Sequence, residues 1–160
     1  GVDSLDARIL SELQKNARIT NSRLALNVGL SESACSTRLK ALEKTGIIKT
    51  YRALLDRRMF GPHIVVMVDI ILESHQSHVQ SRFEQIVRTE PAVIECNFMS
   101  GVYDYRLKIV AEDVASYETI MDNMCKKHGQ VGQYFSHIVM RNVKDMPVDI
   151  GMFMASEEDE

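Results

Sequence analysis

Apolar residues recur at helical spacing up to about residue 46, and beyond Gly61-Pro62 the period of two that belongs to strands alternates with the helical one. No single kind of element serves both periods. The chain must therefore combine a helical N-terminal part with a C-terminal part that mixes strands and helices.

In the first part, Leu5, Ile9, Leu10 and Leu13 form one helical stripe, which Ala17 continues, with charge on the other side. Thr20 is placed to cap a short second helix that turns Leu24, Ala25 and Val28 inward, and Gly29 offers the left-handed position that ends it. Ser31 can cap a third helix that runs to Thr45, closes at Gly46 and buries Cys35, Leu39 and Leu42. Its other faces carry Ser33, Ser36, Thr37, Lys40 and Lys44. Three short helices with a tight Gly-containing turn between the second and third form the helix-turn-helix pattern. Residues 47–55 are β-prone and apolar-rich, which predicts a strand or wing before the linker.

In the second part, Ile64–Leu72 is a near-continuous β-branched run suited to a central strand. Val79, Phe83, Ile86 and Val87 predict a helix ending before Pro91. Ile94, Cys96 and Phe98 alternate with polar residues, as do Tyr105, Leu107 and Ile109, with a turn at residues 100–104 between them. Asp113 caps a helix whose stripe is Val114, Tyr117, Ile120, Met121 and Met124 and whose terminator is Gly129. Residues 134–143 predict a last strand. The order β-α-β-β-α-β is that of the ferredoxin-like fold.

The expected fold class is α+β, an N-terminal three-helix winged helix-turn-helix plus a C-terminal ferredoxin-like βαββαβ domain. The expected boundaries are 1–50 for the first domain, 51–62 for the strand and linker, 63–145 for the second domain and 146–160 for a tail. That tail ends in Glu157-Glu158-Asp159-Glu160, and its Ile150, Met152, Phe153 and Met154 are apolar enough to pack on a partner chain.

Charge divides in the same way. The net charge of −3 conceals eleven Lys/Arg against six Asp/Glu in residues 1–58, and eight against sixteen in the rest. A basic head on an acidic body suits a polyanion-binding module joined to a domain that does not bind polyanions. Three widely spaced cysteines, Cys35, Cys96 and Cys125, predict small buried hydrophobes in a reducing compartment, with no disulfide framework or zinc site. The N-terminus has no cationic stretch leading into an apolar run, and no segment is long and apolar enough for a membrane, so a cytoplasmic protein with no membrane partner is expected. His75 and His78 read as surface residues, since no carboxylate or Cys completes a metal set. No catalytic fingerprint, cofactor loop or metal motif is present, and neither a cofactor nor a metal is expected.

On residue chemistry, Ser33, Ser36, Thr37 and Lys40 would face the major groove if the third helix lies there. Arg18, Thr20, Asn21 and Arg23 flank the second helix and suit backbone contacts, which position without specifying. Ser31 caps a helix whose N-terminus suits a phosphate. Arg38 is open between clamping a phosphate and bracing Glu43 or the first helix.

The whole arrangement resembles the leucine-responsive/asparagine (Lrp/AsnC) family of regulators over nearly the full chain. The resemblance rests on Leu5-Asp6-Ala7-Arg8-Ile9-Leu10, Leu13-Gln14-Lys15-Asn16-Ala17-Arg18 and Val28-Gly29-Leu30-Ser31. It continues through Cys35-Ser36-Thr37-Arg38-Leu39, Leu42-Glu43-Lys44-Thr45-Gly46-Ile47-Ile48 and Ser100-Gly101-Val102-Tyr103-Asp104-Tyr105. It implies a transcriptional regulator that binds double-stranded DNA as a homodimer pairing its C-terminal sheets, with octamers as a further assembly. It also implies a small-molecule effector, usually an amino acid, held at an interface by Ser100, Gly101, Val102, Tyr103 and Asp104 with Tyr134 and Ser136 of the last strand. Without the resemblance, a Gly and an Asp in a hairpin turn need no ligand. Tyr134 and Ser136 replace two threonines common in the family, and the tyrosine is bulkier.

Two other functions fit parts of the sequence. Some siroheme (tetrapyrrole) decarboxylases share the architecture, and His137 with Arg141 is the suggestive pair for such an enzyme. A protein-interaction module is the third possibility. The polar third helix and the basic head favour the regulator.

Overall fold

Three helices form where the apolar stripes predict them, in a computed structural model that describes residues 1–126 and 130–154. Helix α1 (Ser4–Lys15) starts at a reciprocal cap, in which the Asp3 carboxylate accepts from the Asp6 N–H and the Asp6 carboxylate from the Asp3 N–H. Helix α2 (Asn21–Val28) is capped by Thr20, and helix α3 (Glu32–Thr45) by Ser31. Each cap is worth about 1 kcal/mol. Gly29, at φ 74°, turns the chain from α2 towards α3 in the left-handed region that only glycine enters freely. Ile9, Leu10, Leu24, Ala25, Val28, Cys35 and Leu42 are buried together, with Leu13 and Leu39 partly buried beside them. Each large side chain buried there contributes roughly 1.5–3 kcal/mol.

Two expectations fail in this part. Ala17 is exposed because α1 ends at Lys15 and the chain leaves helical register, while Ala7 is buried instead. Residues 47–55 form no strand: a ladder needs a neighbour, and among the described residues none pairs with them. Tyr51, Leu54 and Leu55 stay largely exposed, and the next regular structure is a single 3-10 turn at Arg57–Phe60.

Residues 56–143 form a second unit. Its elements are β1 (Ile64–Leu72), α4 (Ser77–Thr89), β2 (Val93–Phe98), β3 (Tyr105–Ala111), α5 (Val114–Met121) and β4 (Val131–Ile138). The sheet order is β2-β3-β1-β4 with antiparallel neighbours, so the βαββαβ topology holds. Alternate residues of β1 and β3, Val66, Val68, Ile70, Leu72, Tyr105, Leu107 and Ile109, pack with Phe83 and Val87 of α4 and Tyr117 and Met121 of α5. A wider π-type turn at Asp122–Lys126 continues α5 and brings Met124 and Cys125 to the same core.

The strand edges depart from expectation. A register shift between Val93 and Glu95 leaves Ile94 as an unpaired, exposed bulge residue, and Val93 packs inward in its place. Phe98 at the end of β2 is exposed as well, and Val114 is exposed at the first turn of α5. The last strand lies at Val131–Ile138 rather than 134–143. Gly129, expected to end the last helix, and the acidic residues 157–160 lie outside the described residues. Cys35, Cys96 and Cys125 are free thiols, and burial pushes Cys96 up to about 11 and Cys125 to about 12, so both are neutral thiols near pH 7.

Residues 144–154 belong to the same compact unit as residues 1–55. There α6 (Gly151–Met154) follows Ile150, which sits against the N-terminal core. With Leu10, Leu13 and Tyr51, residues of this segment wall a cavity of ≈ 630 Å³. Among the described residues, no helix is long and apolar enough to cross a membrane, and no group of three His, Cys, Asp or Glu is placed to hold a metal ion.

Candidate functional site

Residues 33, 37, 40 and 44 share one face of α3 by helical spacing, with Ser36 beside them. Ser33, Thr37 and Lys40 are exposed and Ser36 is half-buried. The Thr37 hydroxyl donates to the Ser33 carbonyl at 3.0 Å, which leaves its oxygen as an acceptor towards solvent. The Ser31 hydroxyl accepts from the Ala34 N–H at 3.2 Å and lies 3.4 Å from that of Ser33. Arg18 and Arg23 project freely, and Thr20 is held as a cap by the Arg23 N–H at 3.2 Å.

Two of the expected DNA contacts are turned elsewhere. Asn21 donates from Nδ2 to the Glu32 carbonyl at 2.9 Å, tying the start of α2 to the start of α3. Arg38 leaves the polar face to meet Asp3 at 2.7 Å and Asp6 at 3.1 Å, so it braces the first helix. Its guanidinium holds the Asp3 carboxyl below its ordinary value.

The second candidate site is the turn from β2 to β3. Gly101 has φ 105°, again glycine territory, and the Met99 N–H donates to the Asp104 carbonyl at 2.8 Å to close the turn. The Asp104 carboxylate is not free. Oδ2 accepts from the Leu72 N–H at 2.8 Å and Oδ1 lies 3.1 Å from His75 Nε2. Nothing in the local pattern singles out His75 for this role, since only the fold brings a residue just past β1 to the turn. Ser100 and Val102 are exposed, and the Tyr103 ring meets that of Phe135 at 5.7 Å. On β4, Tyr134 packs against the core, and the Ser136 hydroxyl is hydrogen-bonded to that of Tyr117. A crevice of ≈ 170 Å³ in this unit, lined by Glu84, Arg88, Cys96 and Phe98 among others, contains none of the expected effector residues.

The opposite face of the sheet carries a cluster that sequence reading missed. Asp69 of β1 is 4% exposed and is bonded by Arg106 of β3, Nε to Oδ1 at 2.7 Å and Nη2 to Oδ2 at 3.3 Å. His137 Nε2 of β4 lies 3.3 Å from Oδ2. The Arg106 guanidinium first, and His137 after it, hold the Asp69 carboxyl below its ordinary value against the opposing effect of burial.

Comparison with known proteins agrees with this geometry. The winged helix-turn-helix DNA-binding pattern matches residues 2–49, and the Lrp/AsnC ligand binding domain matches residues 65–149. The leucine-responsive regulatory protein of Haemophilus influenzae is 35% identical over 143 residues, 89% of this chain and 86% of that protein. The proline dehydrogenase transcriptional activator of Rhodobacter capsulatus is 36% identical over 142 residues, 89% and 92% of the two chains. A transcriptional regulator from Neisseria meningitidis, solved as a complex with L-Met, superposes with a TM-score of 0.85 at 29% identity, covering 91% of this chain and 94% of that one. A polar helix in a basic helix-turn-helix unit, joined to a ligand-binding βαββαβ unit, defines the class of effector-modulated, DNA-binding transcriptional regulators. Within that class, the chain belongs to the Lrp/AsnC family.

Proposed function

We propose that this chain is a cytoplasmic homo-oligomeric regulator without enzymatic activity, a dimer able to assemble further into octamers, and that an amino acid tunes its binding to double-stranded DNA. The exposed polar face of α3 carries the reading. Ser33, Ser36, Thr37 and Lys40 would meet base edges and phosphates, and Arg18 and Arg23 the DNA backbone. Thr20 and Ser31 hold the two helix N-termini that would approach phosphates. Serine and threonine read bases weakly, so part of the specificity comes from DNA shape and bending. Asn21 and Arg38 support the unit from within.

The effector site centres on Ser100, Gly101, Val102, Tyr103 and Asp104. An amino acid's ammonium would meet the Asp104 carboxylate by displacing or joining His75, and the Neisseria relative's L-Met supports that ligand class. Ser100 and Val102 are exposed in the single chain, which suits a site completed by a second copy. Binding there would shift oligomer populations and so reach DNA without touching α3.

The test is titration of a fragment from the chain's own promoter against salt and free amino acids. A steep salt slope at submicromolar affinity, altered by one amino acid, supports the proposal. Absence of binding at every salt concentration, with a tetrapyrrole-coloured preparation, sinks it in favour of an enzyme.

A further inference from the structure

The side chain of Gln14, at the last turn of α1, is bonded at both ends to the backbone of a segment more than 130 residues away. Its Nε2 donates to the Val148 carbonyl at 2.7 Å, and its Oε1 accepts from the Ile150 N–H at 3.0 Å. Those are the two groups flanking residue 149 that a neighbouring strand would pair with, and a primary amide supplies the matching donor and acceptor. Beside it, the Ser11 hydroxyl donates to Asp149 Oδ1 at 3.2 Å, and the same oxygen accepts from the Gly151 N–H at 2.9 Å, which starts α6. Between these polar anchors Ile150 packs against the buried residues of the helix-turn-helix. The arrangement has the components of a peptide-recognition site: a two-point backbone contact and one apolar anchor.

We infer that residues 148–153 are an intramolecular ligand of the DNA-binding unit, read by Gln14 and anchored by Ile150, and that their docking supports operator binding. The segment follows β4, the strand that bears Tyr134 and Ser136. The sheet unit is therefore joined to the DNA-binding unit at both of its own ends, covalently through residues 51–62 and through the docked strap. The strap contacts Ser11 and Gln14, and none of its hydrogen bonds involves Ser33, Ser36, Thr37 or Lys40 of α3. It acts as a tether that leaves the polar face open. A second tether restricts the freedom the DNA-binding unit loses when two copies engage one operator, so docking favours binding without adding a phosphate contact.

The docking half of this inference stands apart from the DNA interface proposed above; the coupling half rests on it. The experiment therefore has two readouts on the full chain, wild type against Gln14→Ala and Gln14→Glu. Gln14 is exposed, so neither change opens the core. By hydrogen exchange, Gln14→Ala should make the amides of residues 150–153 exchange roughly tenfold faster. Gln14→Glu keeps the acceptor for Ile150 and loses the donor to Val148, so it should also exchange faster than wild type. On the promoter fragment, Gln14→Ala should weaken affinity several-fold with an unchanged salt slope. Unchanged exchange overturns the docking. Faster exchange with unchanged affinity overturns the coupling, and an altered salt slope overturns it in favour of direct contact. A wild-type chain that binds no DNA removes the interface reading and the coupling with it, while the exchange contrast still decides the docking.

Discussion

Asp69 on β1 and Arg106 on β3 are direct cross-strand partners, and the carboxylate, almost completely buried, is gripped by two guanidinium nitrogens. Because Arg106 holds the folded-state carboxyl below its unfolded value of about 3.9, the pair contributes stability that is fully present above that value. The contribution is lost as pH falls through the depressed folded value. Asp69→Asn should cost about 1–3 kcal/mol near neutral pH and flatten the acid limb of the stability curve. Urea unfolding of both proteins between pH 7 and pH 3 checks this; parallel curves would count against it.

Lys40 is exposed on the polar face of α3. Lys40→Ala should weaken binding to all duplex sequences alike and lower the magnitude of the log–log salt slope by about 0.9. Ser36→Ala should leave the slope unchanged and alter preference among operator variants. Salt-dependent titrations with specific and scrambled duplexes separate the two.

Asp104 has a structural role and a proposed ligand role that substitution can split. Asp104→Ala leaves the Leu72 N–H without its acceptor and should cost about 1–3 kcal/mol. Asp104→Asn keeps an oxygen for that N–H but removes the charge an ammonium needs. The Asn variant should unfold near the wild-type urea midpoint and yet lose the amino-acid response in DNA binding. An Asn variant that responds normally would remove Asp104 from the effector site.

Gly29 has open space around it, with no atom within 4 Å of an added Cβ, so its cost of replacement is conformational alone. At φ 74°, Gly29→Ala should cost about 1–2 kcal/mol, read as a lower thermal midpoint. If the midpoint is unchanged, the turn between α2 and α3 tolerates a different backbone.

The parts of the fold that local chemistry decides were legible. Thr20, Ser31 and Asp113 cap the helices they were expected to cap, and Gly29 and Gly46 adopt the left-handed turns, because each depends on neighbours within four residues. Features that depend on distant partners were not. The bulge at Ile94 follows from the register of β2 against β3, which alternation within one strand does not encode. Residues 47–55 have strand-forming composition but no strand partner among the described residues, and composition cannot supply one. His75 beside Asp104, and Gln14 beside residues 148 and 150, join segments 29 to 136 positions apart. A polar residue on a helix surface gives no sign of which backbone it will meet. The α3 face was legible as a pattern of spacing, whereas Arg38 was open between two roles until its carboxylate partners were located.

The strap also orders events during synthesis. A growing chain completes α1 to α3, then the entire sheet unit, before Ile150 exists. Elongation at about 5–20 residues per second leaves the first-made core without its last apolar anchor for roughly 5–20 seconds. A ribosome-bound chain in that interval carries α3 but not the finished N-terminal unit. Codons for residues 148–153 thus complete the domain that the codons for α1 begin, and a chain interrupted in between lacks the strap that finishes it.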